Sequence, residues 1–174
     1  MAAKRPYNVL IAGQCVDTLA RVLSRLCDAA GFRHRLTLRE ERAELRIVRE
    51  ADLETAFPDA DIPRRELDLL LALDPWAAAP LAGRRTTVIL NASATALLAP
   101  GHGDSEFDNP VAQLHRMGVP LLCRDFESVA LRRFGTARRL AFVMGEAAIV
   151  QGLLPFDLDA YGAAFDGEAG ERVA

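Results

Sequence analysis

The sequence predicts an α/β protein of three layers, in which a mainly parallel sheet, with mixed pairing left open, lies between two layers of helices. Short apolar runs of strand length recur along the chain at Tyr7–Ala12 (YNVLIA), Leu67–Leu73 (LDLLLAL), Thr86–Asn91 (TTVILN) and Val119–Arg124, with helix-like segments between them. LDLLLAL and TTVILN are almost continuously apolar rather than alternating, as expected of strands covered on both faces. With 174 residues, 51% of them hydrophobic, the chain can build one sizeable core but not two. These features describe a Rossmann-like α/β/α domain with right-handed crossovers, expected over residues 1–166 and followed by a flexible tail, 167–174.

The elements follow in order. Tyr7–Ala12 is a strand that Gly13 ends, and Val16–Ala30 carries apolar residues at helical spacing (Leu19, Val22, Leu23, Leu26, Cys27, Ala30). Gly31 stands where a left-handed residue ends a helix. Phe32–Leu38 and Ala43–Val48 alternate as two strands, either a hairpin or a bent pair, and Glu40–Glu41 between them suits a turn. Ala51–Glu66 has two prolines and no sustained period, and reads as a loop holding at most one helical turn. Asp74-Pro75 and Asn109-Pro110 are both a capping side chain followed by proline, a pairing that starts helices, and Gly118 ends the second one. Between them, Ala92–Asp108 is polar and glycine-bearing. Phe126–Phe134 and Leu140–Gly152 have helical spacing, Pro155 is a stop, and Asp157 caps a terminal helix.

Charge narrows the function classes. Lys and Arg number 21 and Asp and Glu 24, so the formal net charge is −3 and no uniform field draws nucleic acid or an anionic membrane. No run approaches the roughly 20 apolar residues that span a bilayer, and Met1–Pro6 has no apolar signal region behind it, so the expected location is cytoplasmic. Three widely spaced cysteines (Cys15, Cys27, Cys123) neither form a disulfide framework nor supply the four thiolates of an iron–sulfur cluster.

In a parallel sheet, ligands sit outside the carboxyl ends of the strands, which directs attention to the loops after Ala12, Leu73, Asn91 and Arg124. The first loop, Gly13-Gln14-Cys15, leads into a helix N-terminus that could hold a phosphate, but it has one glycine where a dinucleotide fingerprint has three, and a plain turn is the stronger reading. Cys15 lies where a thiol can become reactive, although a small turn-filling residue is the simpler account; Cys27 and Cys123 read as buried hydrophobes. His34, His102 and His115 share no ligand spacing, and the His102–Asp104 pair does not make a metal site. No nucleophile elbow is present. Arg132, Arg133, Arg138 and Arg139 form a basic cluster that could meet an anion, with a solvated helix end as its bland alternative.

Taken as strings, YNVLIAG followed by TLARVL resembles the opening of the gamma-type domain of 2-oxoacid:acceptor oxidoreductases, the pyruvate and indolepyruvate:ferredoxin oxidoreductases, where a strand, a GxGGQG-like loop and a TLARxL-like helix come in this order. ELDLLLALDPWAA, TTVILNAS and FVMGEAAIVQGLLPFDLDAY are similar to that family's later strands and closing helix. The stand-alone length looks most like the indolepyruvate type, whose small chain is called its beta subunit. The resemblance implies a small subunit that is inactive alone and binds no cofactor by itself. It would pack on a larger subunit bearing thiamine diphosphate and iron–sulfur clusters, shape the CoA side of the site, and serve ferredoxin through the complex. Catalytic and metal-binding residues are then expected on the partner, and the cofactor-facing positions here are Gly13, Gln14, Cys15 and Asn91.

This chain departs from the family at ligand-facing motifs. About three residues of the glycine loop are missing, Cys15 stands where a glycine follows the Gln, and Arg39–Arg42 (REER) replaces a QRGG-like segment. Thr136 and Ala141 stand where asparagines are expected. Two other readings therefore remain beside the first: a structural or regulatory subunit without a cofactor, and an unrelated nucleotide-binding Rossmann-like enzyme.

Overall fold

The computed structural model describes residues 5–48, 57, 60–98 and 109–171. Six strands form one sheet: β1 (Tyr7–Ala12), β2 (Arg33–Arg39), β3 (Arg42–Val48), β4 (Leu69–Ala72), β5 (Thr87–Asn91) and β6 (Leu121–Arg124). Their spatial order is β2-β3-β1-β4-β5-β6. β1, β4, β5 and β6 are parallel, with Ile11 opposite Leu71, Leu71 opposite Ile89 and Ile89 opposite Leu122. The β2–β3 hairpin joins antiparallel to β1, with Ala12 opposite Arg42. The sheet is therefore mixed, and the hairpin, one of the two arrangements that the alternation around Glu40–Glu41 allows, is what makes it so.

Side chains alternate across the sheet, as the two-residue period of a strand requires. Val9, Ile11, Leu69, Leu71 and Ile89 face one core with the helices α1 (Val16–Ala29), α5 (Phe126–Phe134), α6 (Leu140–Val150) and α7 (Leu158–Glu171). Leu10, Leu70, Val88 and Leu90 face a second core with α2 (Ala78–Leu81) and α4 (Pro110–Met117), and a short α3 (Ala94–Leu97) follows β5. The three-layer expectation holds, and the continuously apolar LDLLLAL and TTVILN strands are covered on both faces.

The loop before β4 closes the second face over the hairpin. β3 buries Glu44 and Arg46 on that side, and the backbone around residues 60–62 satisfies them: the Ile62 amide donates to Glu44 Oε2 at 3.1 Å, and the Arg46 guanidinium donates to the Ala60 carbonyl. A single helical turn, Arg64–Glu66, is the only regular structure among the described residues of this loop. The helix starts behave as their sequences predict. Asp74 accepts from the Trp76 amide at 3.0 Å, Asn109 from Val111 at 2.9 Å and Asp157 from Asp159 at 2.9 Å.

One element runs longer than expected: α7 continues to Glu171, past the Gly167 at which a tail was expected to begin. Its reach has a physical cause, because the buried Glu168 carboxylate is held by Arg25 at 3.0 Å from α1. Tyr161 anchors the same helix, donating to the Phe142 carbonyl at 2.9 Å with its ring stacked on Phe142.

Candidate functional site

The site residues singled out from the sequence lie at the carboxyl edge of the parallel strands. Gly13 ends β1, Leu73–Asp74 follow β4, Asn91 ends β5, and Asp125 follows β6. The hairpin turn joins them, since the Gly13 amide donates to the Glu41 carbonyl at 3.0 Å. This brings Arg39–Arg42 beside the Gly13–Cys15 loop.

The edge is satisfied largely by its own atoms. Gly13 has φ 131°, a value L side chains avoid, and a Cβ there would stand 2.9 Å from both the Asp74 amide nitrogen and Leu73 Cβ. The space that its missing side chain leaves is thus taken by the chain itself. Asn91 is buried, and its amide lies 3.5 Å from the Leu73 carbonyl and 3.4 Å from Ser93 Oγ, while its oxygen receives the Glu127 amide at 3.4 Å. Each contact is long, so Asn91 loosely ties three strand ends together rather than presenting its amide outward. Ser93 and Asp125 cap α3 and α5 with their own oxygens.

Among the described helix starts that follow β1, β4, β5 and β6, the one after β1 has no capping side chain. Gln14 and Cys15 are exposed, and Cys15 caps α1 without a side-chain hydrogen bond. Asp17 lies in the first turn, where its negative charge occupies the favourable end of the helix dipole and opposes a bound anion. Cys15 also holds φ 57°, ψ 33°, a left-handed conformation that normally selects glycine. Cys15 thus adopts a glycine-like backbone at the position where the resemblance expects a glycine.

The described residues fit neither a cluster nor a metal centre. Cys15 is exposed, Cys27 is buried on α1 and Cys123 lies half-buried in β6. Burial, and then the neighbouring Asp28 charge, push the Cys27 thiol up to about 12; burial also raises Cys123. No group of three or more His, Cys, Asp or Glu able to hold a metal occurs among the described residues. His102 and Asp104 lie outside them. No described helix is long and apolar enough to cross a membrane. Two of the four arginines of the Arg132–Arg139 cluster are engaged in the fold: Arg133 grips Glu146 with its two terminal guanidinium nitrogens, and Arg139 pairs with Asp166 at 2.8 Å while lying over the rings of Phe134, Phe142 and Phe165.

A wider hollow lies at the opposite edge. A groove of 1090 Å³ opens at the amino ends of β4, β5 and β6, lined by Arg64 and Arg65 before β4, Arg84 and Arg85 before β5, and Arg116 at the end of α4. Sequence reasoning did not single out these residues. A signal was present, since Arg64-Arg65 and Arg84-Arg85 are two adjacent pairs at matching places before two parallel strands. At the carboxyl edge, a smaller hollow of 510 Å³ is lined by Arg39, Glu40, Glu41, Arg42 and Asp61, with Arg39 and Asp61 ion-paired across it.

No family model matches this sequence, and no curated protein does. Among solved structures, the chain is similar to the PORC subunit of pyruvate oxidoreductase from Thermotoga maritima, with a TM-score of 0.54 and 15% sequence identity over 95% of this chain and 96% of that one. At that identity the likeness establishes the fold, a mixed α/β/α sandwich shared from end to end.

Proposed function

We propose that this chain is the small, gamma-type subunit of a thiamine-diphosphate-dependent 2-oxoacid:ferredoxin oxidoreductase, of the indolepyruvate type. It packs on the larger catalytic subunit and shapes the CoA side of that subunit's site. The observation that carries this reading is the end-to-end likeness, 95% of one chain on 96% of the other, to a structure that is itself a subunit of a pyruvate oxidoreductase. A domain likeness inside a larger enzyme would have left much of that chain uncovered. The motif strings and the glycine-like backbone of Cys15 point the same way.

In this role the chain supplies shape rather than chemistry. Thiamine diphosphate, CoA and iron–sulfur clusters belong to the assembled enzyme, in which they carry the decarboxylation, acyl transfer and electron transfer. The chain's own part is to present Gln14, Cys15 and the Arg39–Arg42 turn on one exposed edge, braced from behind by Gly13 and Asn91. Cytoplasmic location and contact with ferredoxin only through the complex follow from the same reading. The second reading, a structural or regulatory subunit without a cofactor, is favoured by one observation: Asn91 and Gly13 spend their contacts inside the chain.

Pull-down of the tagged chain from its native host, with mass spectrometry of what comes with it, tests the assignment. Enrichment of a large thiamine-diphosphate, iron–sulfur protein is expected, as is turnover of 2-oxoacids by the recovered complex and none by the chain alone. Recovery as a lone monomer would remove the proposal. A complex without 2-oxoacid turnover would leave the second reading in its place.

A further inference from the structure

We infer that the arginine groove at the amino edge of the sheet is a binding site for a ligand bearing a diphosphate or triphosphate group. This inference stands independently of the subunit assignment. Five guanidinium-bearing residues, Arg64, Arg65, Arg84, Arg85 and Arg116, line one hollow in a chain whose net charge is −3; Arg64 is held by backbone carbonyls and Arg65 lies 3.7 Å from Glu66 Oε1, so Arg84 and Arg85 are the pair best placed to meet a ligand. Arg84 and Arg85 set two like charges side by side at the rim of the hollow, and a compact polyanion relieves their repulsion. The planar guanidinium fork matches two phosphate oxygens at once, and arginine keeps its charge at every physiological pH.

The base of the groove is built, not incidental. The Arg64 guanidinium donates to the carbonyls of Ala82 and, at 3.0 Å, Ala79, which fixes the segment before β4 against α2. Arg84 and Arg85 occupy the exposed corners of a tight turn, closed by the Thr86 amide on the Gly83 carbonyl at 3.1 Å. Thr86 Oγ1 locks that turn, accepting from the Gly83 amide at 2.8 Å and donating to the Leu67 carbonyl at 3.0 Å. The turn sits so close to the segment before β4 that a Cβ on Gly83 would lie 2.2 Å from the Arg64 carbonyl oxygen. Two exposed side chains thus project from a turn that these hydrogen bonds fix, so capturing an anion orders the side chains but not the backbone.

The volume also favours a small ligand. At 1090 Å³ the groove is of the size that takes drug-sized molecules, and a second hollow of 440 Å³ shares Arg64, Arg116 and Met117 with it. Met117 gives this wall an apolar surface against which a nucleoside could lie. Two sources of the phosphate chain, inorganic and nucleotide, share the same recognition chemistry.

Calorimetry on the full chain tests the site with inorganic triphosphate, ATP, adenosine and an Asp/Glu-rich peptide of equal charge as probes. Saturable, salt-sensitive binding of triphosphate and ATP is expected, with the Arg84→Glu/Arg85→Glu double variant weakening both at least tenfold. Because both residues are exposed on a turn, circular dichroism should show the variant folded. An equal charge change at Arg132→Glu/Arg138→Glu, outside the groove, should cost less than threefold. ATP binding more tightly than triphosphate would assign the nucleotide source, and equal affinities the inorganic one. No saturable binding of either at millimolar concentration, equal losses in both double variants, or tighter binding of the acidic peptide would overturn the inference.

Discussion

The two edges of the sheet solve opposite problems. At the carboxyl edge, the helix starts after β4, β5 and β6 are closed by their own capping side chains, Asp74, Ser93 and Asp125. The glycine at the end of β1 is filled by a neighbouring strand end. At the amino edge, the turns are locked equally firmly, by Thr86 and by the Arg64 contacts to Ala79 and Ala82, yet five arginines line one groove. Both edges are tied by their own hydrogen bonds; what differs is that the carboxyl edge spends its polar groups inside the chain, while the amino edge also sets the exposed Arg84 and Arg85 at the rim of a hollow. The rule that ligands sit at the carboxyl ends of parallel strands describes where backbone donors and loops converge, and it loses force where those donors have been consumed.

The largest expected effects test whether each edge is closed by packing. Gly13→Ala adds a methyl at φ 131° and against the backbone of Asp74. It should cost about 2–4 kcal/mol of stability from conformational strain and overlap together. Gly83→Ala meets the Arg64 carbonyl and should cost about 1–3 kcal/mol, while also loosening the floor beneath Arg84 and Arg85. Urea unfolding of both variants, read by circular dichroism, checks this. If Gly13→Ala is as stable as the parent chain, its glycine is not held by packing and the carboxyl edge is more open than its contacts indicate.

Asp125 gives a smaller effect with a defined pH signature. Its carboxylate accepts from the Ser128 amide at 2.9 Å and the Ser128 hydroxyl at 2.6 Å at the start of α5, and these bonds hold its pKa below the ordinary 3.8. Replacing it by Ala should cost about 1 kcal/mol, the usual worth of such a cap. A carboxyl group with a lowered folded-state pKa stabilises the fold above its unfolded value and loses that contribution as pH falls through the folded one. The gap between parent and Asp125→Ala should therefore be constant near neutrality and narrow below about pH 4. A gap that persists unchanged at pH 2 would assign the effect to helix propensity instead of the cap.

Much of this architecture was legible in the sequence because local signals and long-range packing agree. The Asn109-Pro110 and Asp157 starts, the Glu40–Glu41 turn and the doubly covered LDLLLAL strand each follow from residue chemistry within a few positions. What could not be read depended on residues distant in the chain. The extension of α7 comes from Glu168 meeting Arg25, which are 143 positions apart (168 − 25). The groove needs three separate segments, before β4, β5 and β6, to be placed side by side, and no local period announces that. The site expectation identified the right edge for Gly13 and Asn91, but spacing alone could not show that their contacts would be turned inward.

The smallest effect bears on the one opening left at the carboxyl edge. Cys15 holds a left-handed backbone, φ 57° and ψ 33°, and among the described residues it is the one non-glycine with positive φ. A side chain in that conformation costs about 1–2 kcal/mol relative to glycine, partly offset because glycine loses more chain entropy on folding, by roughly 0.5–1 kcal/mol. The Cys15 side chain is exposed and makes no capping bond, so its removal sacrifices no contact that the fold uses. Cys15→Gly should then stabilise the chain by about 0.5–1 kcal/mol, seen as a higher urea midpoint with an unchanged slope. It would also restore a glycine to the loop at the position where the resemblance calls for one. If the variant is instead less stable, the cysteine is held by a contact of its side chain, and the loop is a built feature of this chain. If it is more stable, strain has been retained at a carboxyl-edge helix start that has no capping side chain, where an assembled complex would be the place to look for what the thiol meets.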